Sequence, residues 1–313
     1  MTGPDLSFLA EPGQVVDWRL VLLLDAATEA GLLDALPGHP PDLAHDLGLD
    51  PQAVRVVLEA LSAWGVVEAG ADGGFAPGRA APGGDAVPVL HHHARTLRRW
   101  ASALDDCLRG IPPDPGQREI RRPDLWLAAL AVQARRVAPE AVQACLARAP
   151  GSATVLDLGG GHGEYALEFS RRGLRVTMQD RPEIIEIVSG DPRFEEGGVD
   201  LFAGDFFEVL PPERYDLVFC AGVTHTFGGE RNVELYRRLP PVLAPAGRLA
   251  IETILRGGHP TSALFAVQML TVGGGADTHK QEDYRRWLEE AGFAAPETVK
   301  LDGGRRWLLL SGV

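Results

Sequence analysis

Residues 154–166, TVLDLGGGHGEYA, decide how this 313-residue chain is read. A short apolar run ends in glycines at 159, 160, 161 and 163, and a segment of helical character opens at Glu164. This is the first strand-to-helix turn of an alternating region, where glycine lets the backbone approach a ligand closely. A dinucleotide loop wants Gly-x-Gly-x-x-Gly, yet counted from Gly159 the third glycine would fall on Glu164. The spacing is instead Gly159, Gly161 and Gly163, with Asp157 two residues ahead. A carboxylate there would repel a pyrophosphate and suits an ammonium group.

From this turn onward, strands are predicted at TVLDLG, RVTMQD, VDLFAG, YDLVFCAG, GRLAIETIL, ETVKLD and RRWLLLSGV. Helices are predicted over 164–172, 182–189, 230–243, 262–270 and 281–291. Regular alternation implies an α/β fold, a mostly parallel sheet with helices on both faces. No helix separates the last two strands, which should form an antiparallel hairpin. At the end of the second strand, Asp180 could accept hydrogen bonds from both hydroxyls of a ribose. After the third, Asp205 and Phe206 stand where an adenine amino group and ring face could be held. Acids at strand ends also cap helices, but these four signals come in order at the correct strand ends. Ammonium, ribose and adenine together describe S-adenosylmethionine.

Upstream the texture is helical. Residues 15–36 read as one helix, and Asp42 to Leu47 as a second, with a turn at Gly48. A third opens at LDPQA, with Asp50 as N-cap and Pro51 at the first helical position. VVEAG and GFAPG then give a hairpin, completing a winged-helix pattern over 1–90. The helix that would enter a DNA groove, PQAVRVVLEALSAW, carries one Arg and one Glu among apolar residues. Base reading needs polar or basic side chains, so dimerisation is the expected use. The Pro/Gly-rich stretch 77–89 marks a linker, and 91–150 holds connecting helices before the 151–313 domain. His91, His92 and His93 are adjacent at an expected helix start, where they cannot converge on one ion. A solvated helix start, and no metal, is expected.

The bulk properties agree. Hydrophobic content of 45% and charged content of 23% are those of a globular protein of about two domains. A net charge of -13 opposes binding to nucleic acid. No run approaches the ~20 apolar residues of a membrane span, since WRLVLLLDAATEAGLLDAL is broken by Asp25 and Glu29. MTGPDLSFLAEPG has no signal-peptide character, and Cys107, Cys145 and Cys220 read as reduced thiols, so a cytoplasmic location is expected.

With these features in place, the chain resembles the class I S-adenosylmethionine-dependent small-molecule O-methyltransferases, plant caffeate-type and bacterial polyketide-tailoring. The resemblance covers nearly the full length. It implies a Rossmann-like seven-stranded sheet, preceded by a winged-helix domain that makes a homodimer. It also implies Gly159, Gly161, Asp180, Asp205 and Phe206 at the cofactor.

In that family a histidine beyond the fourth strand is the general base, and VTHTFGGERN resembles its motif, with His225 in that place. A phenol titrates at about 10, and a neutral imidazole can take its proton as the oxygen is methylated. Glu252, at the end of the fifth strand, matches the family acid that orients the base. Thr226 stands where the family has Asp, Ala276 with Asp277 beside it where a second acid is usual, and Ala221 where Lys or Arg is frequent. Pocket walls are expected from Trp100, Trp126, Leu130, Phe265 and Met269. A pocket-lining histidine, a cofactor-dependent reaction without methyl transfer, and a winged-helix regulator are the alternatives to a phenolic or enolic O-methyltransferase.

Overall fold

A computed structural model describes residues 18–114, 122–257 and 259–313. The N-terminal stretch, including the first three residues of the expected 15–36 helix, lies outside them. The chain divides into two compact units, Met1–Arg98 and Arg99–Val313.

In the first unit, helix α1 (Trp18–Glu29) is shorter than expected. It gives way to turns at Gly31, whose φ of 71° no helix interior allows. Helices α2 (Pro40–Leu47) and α3 (Pro51–Ala63) follow, then strands β1 (Val67–Ala69) and β2 (Phe75–Pro77), paired antiparallel. Asp50 caps α3 by accepting from the Ala53 N–H at 2.8 Å. Val54, Leu58 and Leu61 sit one turn apart on α3 and are buried with Leu43, Val67 and Phe75. Its outer face leaves Val56 and Trp64 exposed.

The triple histidine is a correction. Helix α4 (Ala86–Leu108) starts five residues before His91, so the histidines are inside it. His93 is exposed, but His91 is mostly buried, its Nδ1 3.0 Å from Asp25 Oδ1 and 3.4 Å from Glu29 Oε1. Asp25 is buried and also takes the Arg98 guanidinium. The acids that interrupt the apolar run of α1 thus find partners on α4.

The second unit opens with the rest of α4 and helix α5 (Pro123–Arg148). The sheet strands are β3 (Thr154–Leu158), β4 (Arg175–Asp180), β5 (Val199–Ala203), β6 (Tyr215–Ala221), β7 (Leu243–Thr253), β8 (Glu297–Leu301) and β9 (Arg306–Gly312). Their order is β5-β4-β3-β6-β7-β9-β8, parallel except for β9, which runs antiparallel to both neighbours. The expected hairpin is therefore present, but its second strand inserts between β7 and β8. Strand order reverses between β3 and β6, the switch point where a crevice opens at the carboxyl ends of the strands.

Side chains alternate across the sheet. Val155, Leu217 and Phe219 face a core with Ala138, Ala141, Cys145 and Phe169; Leu156, Val218 and Ile251 face one with Leu235, Tyr236 and Leu288. The first layer carries α5 and α6 (Glu164–Arg171), the second α9 (Gly229–Arg238) and α11 (Gln281–Glu290). Helices α7 (Pro182–Val188) and α10 (Pro260–Val272) match their expectations, and α8 (Pro192–Glu196) is additional. The helix expected over 230–243 stops at Arg238. Pro240 and Pro241 remove its donors and disfavour the helical conformation before them, and β7 begins at Leu243.

Candidate functional site

The glycine turn after β3 spends its amides inside the protein. Gly159 and Gly160 both donate to the Gln179 carbonyl, at 2.8 and 3.2 Å, and Gly163 to Gly160 at 2.9 Å. Gly161 donates to Asp180 Oδ2 at 2.8 Å and Glu164 to His162 Nδ1 at 3.1 Å. So few free N–H groups suit a phosphate poorly. A Cβ on Gly159 (φ 71°) would lie 2.6 Å from Val223, so the turn rests on the segment leading to His225. At Gly163, expected among the cofactor glycines, a Cβ would lie 2.3 Å from the Phe194 ring, so the residue also leaves room for that packing.

Asp157, 1% exposed, makes no hydrogen bond of normal geometry on either carboxylate oxygen, although the Ala166 N–H is turned toward it. Burial, with the charge of Asp180 added, pushes it up to about 7. An unpartnered buried acid is costly, and an ammonium ligand supplies what it lacks. Asp180 accepts one backbone N–H on each oxygen, from Gly161 and Arg181 (2.7 Å), leaving a lone pair on each for ribose hydroxyls. Its burial raises its own pKa. Asp205 holds the Phe207 N–H at 2.8 Å. The Phe206 ring comes within 3.6 Å of the Gly159 Cβ position and packs on Phe207 and Phe227. Fully buried Gln179 donates to the Gly204 and Val209 carbonyls, tying the β5 loop to β4. The donor set fits S-adenosylmethionine: an orphaned acid, an acid with spare acceptors, and an aromatic wall.

His225 sits in a single 3-10 turn, Thr224–Thr226, directly after β6. Its ring meets Phe265 of α10 edge-on, centroids 5.0 Å apart. Its Nδ1 is buried without a hydrogen-bond partner. Burial, Arg306 and His279 together push the imidazole down to about 3. The orienting role expected of Glu252 is not the contact the structure makes. Glu252 is fully buried, and both its oxygens take Arg306 Nη1, at 2.9 and 3.2 Å. That pairing holds Arg306 protonated far above its usual range. Asp277 turns its carboxylate to Arg256, while its N–H donates to the His225 carbonyl at 2.9 Å.

Behind the turn, Tyr284 on α11 bridges Thr224 Oγ1 (2.8 Å) and Thr253 Oγ1 (3.0 Å), joining the ends of β6 and β7. Of the expected pocket residues, Phe265 is brought to the histidine. Trp126 and Leu130 lie half-buried on α5, either side of Leu127, whose side chain is 3.6 Å from the Gly161 Cβ position. Trp100 on α4 keeps its indole N–H buried and unpaired, and Met269 is buried on α10. Among the described residues these four make no ring contact with His225.

Arg306 was legible only as one of two arginines opening the last strand. It reaches Glu252 because β9 inserts antiparallel beside β7, which no local pattern announces. Tyr284, Gln179 and His162 read as ordinary members of a helix, a strand and a turn. His162, buried near Arg306, Arg135 and Arg193, is pushed down to about 4.

Comparisons with known proteins point to one family. The family model described as O-methyltransferase domain matches residues 134–294. The 3-amino-4-hydroxybenzoate 4-O-methyltransferase of Streptomyces cremeus is 29% identical over 310 residues, covering 88% of this chain and 82% of that protein. The 3-hydroxy-5-methyl-1-naphthoate 3-O-methyltransferase of Streptomyces sahachiroi is 25% identical, covering 88% and 87%. In fold, human N-acetylserotonin methyltransferase, solved with S-adenosylmethionine, superposes with a TM-score of 0.69 at 21% identity, covering 100% of this chain and 99% of that one.

Proposed function

Because the chain belongs to the O-methyltransferase domain family and is an S-adenosylmethionine-dependent O-methyltransferase, we propose that it methylates a phenolic or enolic hydroxyl of a small aromatic natural product. We further propose that His225 takes the hydroxyl proton. The observation that carries this is the contact of Gly159 with Val223, which sets the glycine turn and the His225 turn side by side. When bound, the cofactor supplies a methyl group activated on a sulfonium. Asp157 would hold its ammonium, Asp180 its ribose, and Asp205 with Phe206 its adenine.

An imidazole held down to about 3 stays neutral, and so able to accept, at every physiological pH. It is also a weak base. Full transfer from a phenol of pKa about 10 would be uphill by roughly 10 kcal/mol. The imidazole therefore takes the proton as the acceptor oxygen becomes alkylated, and acidified hydroxyls suit it best. Both long relatives act on hydroxylated aromatic carboxylates.

The chain is expected to work in the cytoplasm as a homodimer through its first unit, where Val56 on α3 and Trp64 just after it stand exposed. Incubating the protein with S-adenosylmethionine and a panel of hydroxylated aromatic acids tests the acceptor class. S-adenosylhomocysteine and a product heavier by one methylene support it; product without consumption of the cofactor supports the non-methylating alternative. His225→Ala should lower kcat by about a hundredfold. A near-normal rate would leave His225 only a pocket wall.

A further inference from the structure

The turn bearing His225 is held by its carbonyl oxygens. Asn232, one turn into α9 and fully buried, donates from Nδ2 to the Thr224 carbonyl at 3.0 Å and to the Phe227 carbonyl at 3.3 Å. His279 Nε2 lies 2.8 Å from the same Phe227 oxygen, and the Asp277 N–H closes on the His225 carbonyl between them. The two carbonyls that Asn232 spans stand one residue before and two after the histidine.

The other oxygen of this amide, Oδ1, is buried with no partner. An apolar side chain would fill the same core site without stranding an acceptor. The value of the amide therefore lies in its two donated hydrogen bonds. His225 itself has no partner on Nδ1, and Glu252 is committed to Arg306. Its ring is aimed by the backbone of the turn and by the edge of Phe265.

We propose that Asn232 is a positioning residue for His225, bracing the Thr224–Thr226 turn through its carbonyls in place of an acid on the imidazole. The inference rests on the reading of His225 as the proton acceptor. Proton transfer demands heavy-atom approach within hydrogen-bond range, so a turn free to shift by an ångström loses rate without losing cofactor.

The test compares Asn232→Ala and the near-isosteric Asn232→Leu, which has no donor at any pH, with His225→Ala and the double variant His225→Ala/Asn232→Ala. Both Asn232 variants should lose ten- to a hundredfold in kcat and keep S-adenosylhomocysteine affinity within twofold. The loss should vanish in the His225→Ala background. A second readout is the His225 ring 15N spectrum in the enzyme bound to S-adenosylhomocysteine, a single environment in wild type and several in either Asn232 variant. If Asn232→Ala does not fold, Asn232→Leu and that spectrum carry the test alone. Wild-type kcat in the Asn232 variants, beside a crippled His225→Ala, overturns the proposal and spares the base. Wild-type kcat in His225→Ala overturns both.

Discussion

Two buried carboxylates occupy matching places in one sheet. Asp157 is the penultimate residue of β3 and Glu252 the penultimate residue of β7, and each is essentially inaccessible. Glu252 has its cation built in, Arg306 from the neighbouring antiparallel strand. Asp157 has none, and its acidity is displaced accordingly. A buried acid with a partner is part of the scaffold; one without is a candidate for a ligand that brings the partner.

The contrast predicts opposite responses to neutralisation. Glu252→Gln should cost about 3 kcal/mol of unfolding free energy, since it leaves the Arg306 charge largely buried and uncompensated. The corresponding Asp157→Asn should leave the cofactor-free protein as stable or more stable at pH 8. Urea denaturation of both variants decides this, and equal losses would erase the distinction.

A smaller effect concerns pH. Burial pushes Asp157 up to about 7 without ligand, and under the proposed role it must be ionised to hold an ammonium. Cofactor affinity should therefore fall by up to about tenfold per pH unit below 7, with proton release on binding. An α-ammonium loses its own proton at about 8, so affinity should peak between the two values. Calorimetry in buffers of different ionisation enthalpy measures the released proton. The same acid stabilises the ligand-free fold in the other direction. Its raised pKa gives stability below about 4 that is lost as pH rises through about 7. His225 and His162, depressed to about 3 and about 4, oppose this and withdraw stability as pH falls below about 6.5.

The smallest effect is an absence. With His225 held down to about 3, kcat should show no inflection near 6.5. A break there that disappears in His225→Ala would mean that the enzyme with substrate bound restores an ordinary imidazole.

The proposed cofactor half of the candidate site was legible because its signals are local. Asp157, Gly159, Gly161 and Asp180 each stand at a strand end, and strand ends follow from apolar runs bounded by glycine and acid. Phe206 and Asp205 follow the third strand in the same way. The acceptor half was less legible because its contacts are distant in sequence. Glu252 reads as a partner for His225 until β9 is seen to insert beside β7 and deliver Arg306. Asn232 looks like any polar residue of a helix whose exposed face is charged. Gly163 reads as cofactor-binding by its place in a glycine run; that the Phe194 ring of the unforeseen α8 also needs it to lack a Cβ has no local signal. His91 looked solvated because its acidic partners lie more than sixty residues upstream.

The claim that Asp157 awaits an ammonium is tested most directly by a pair of ligands at pH 7.5. S-adenosylhomocysteine carries the amino-acid group and 5′-methylthioadenosine lacks it. Wild type should bind the first far more tightly; Asp157→Asn should lose about a hundredfold for it while binding the second unchanged. Equal losses for both ligands, or none for S-adenosylhomocysteine, would contradict the assignment.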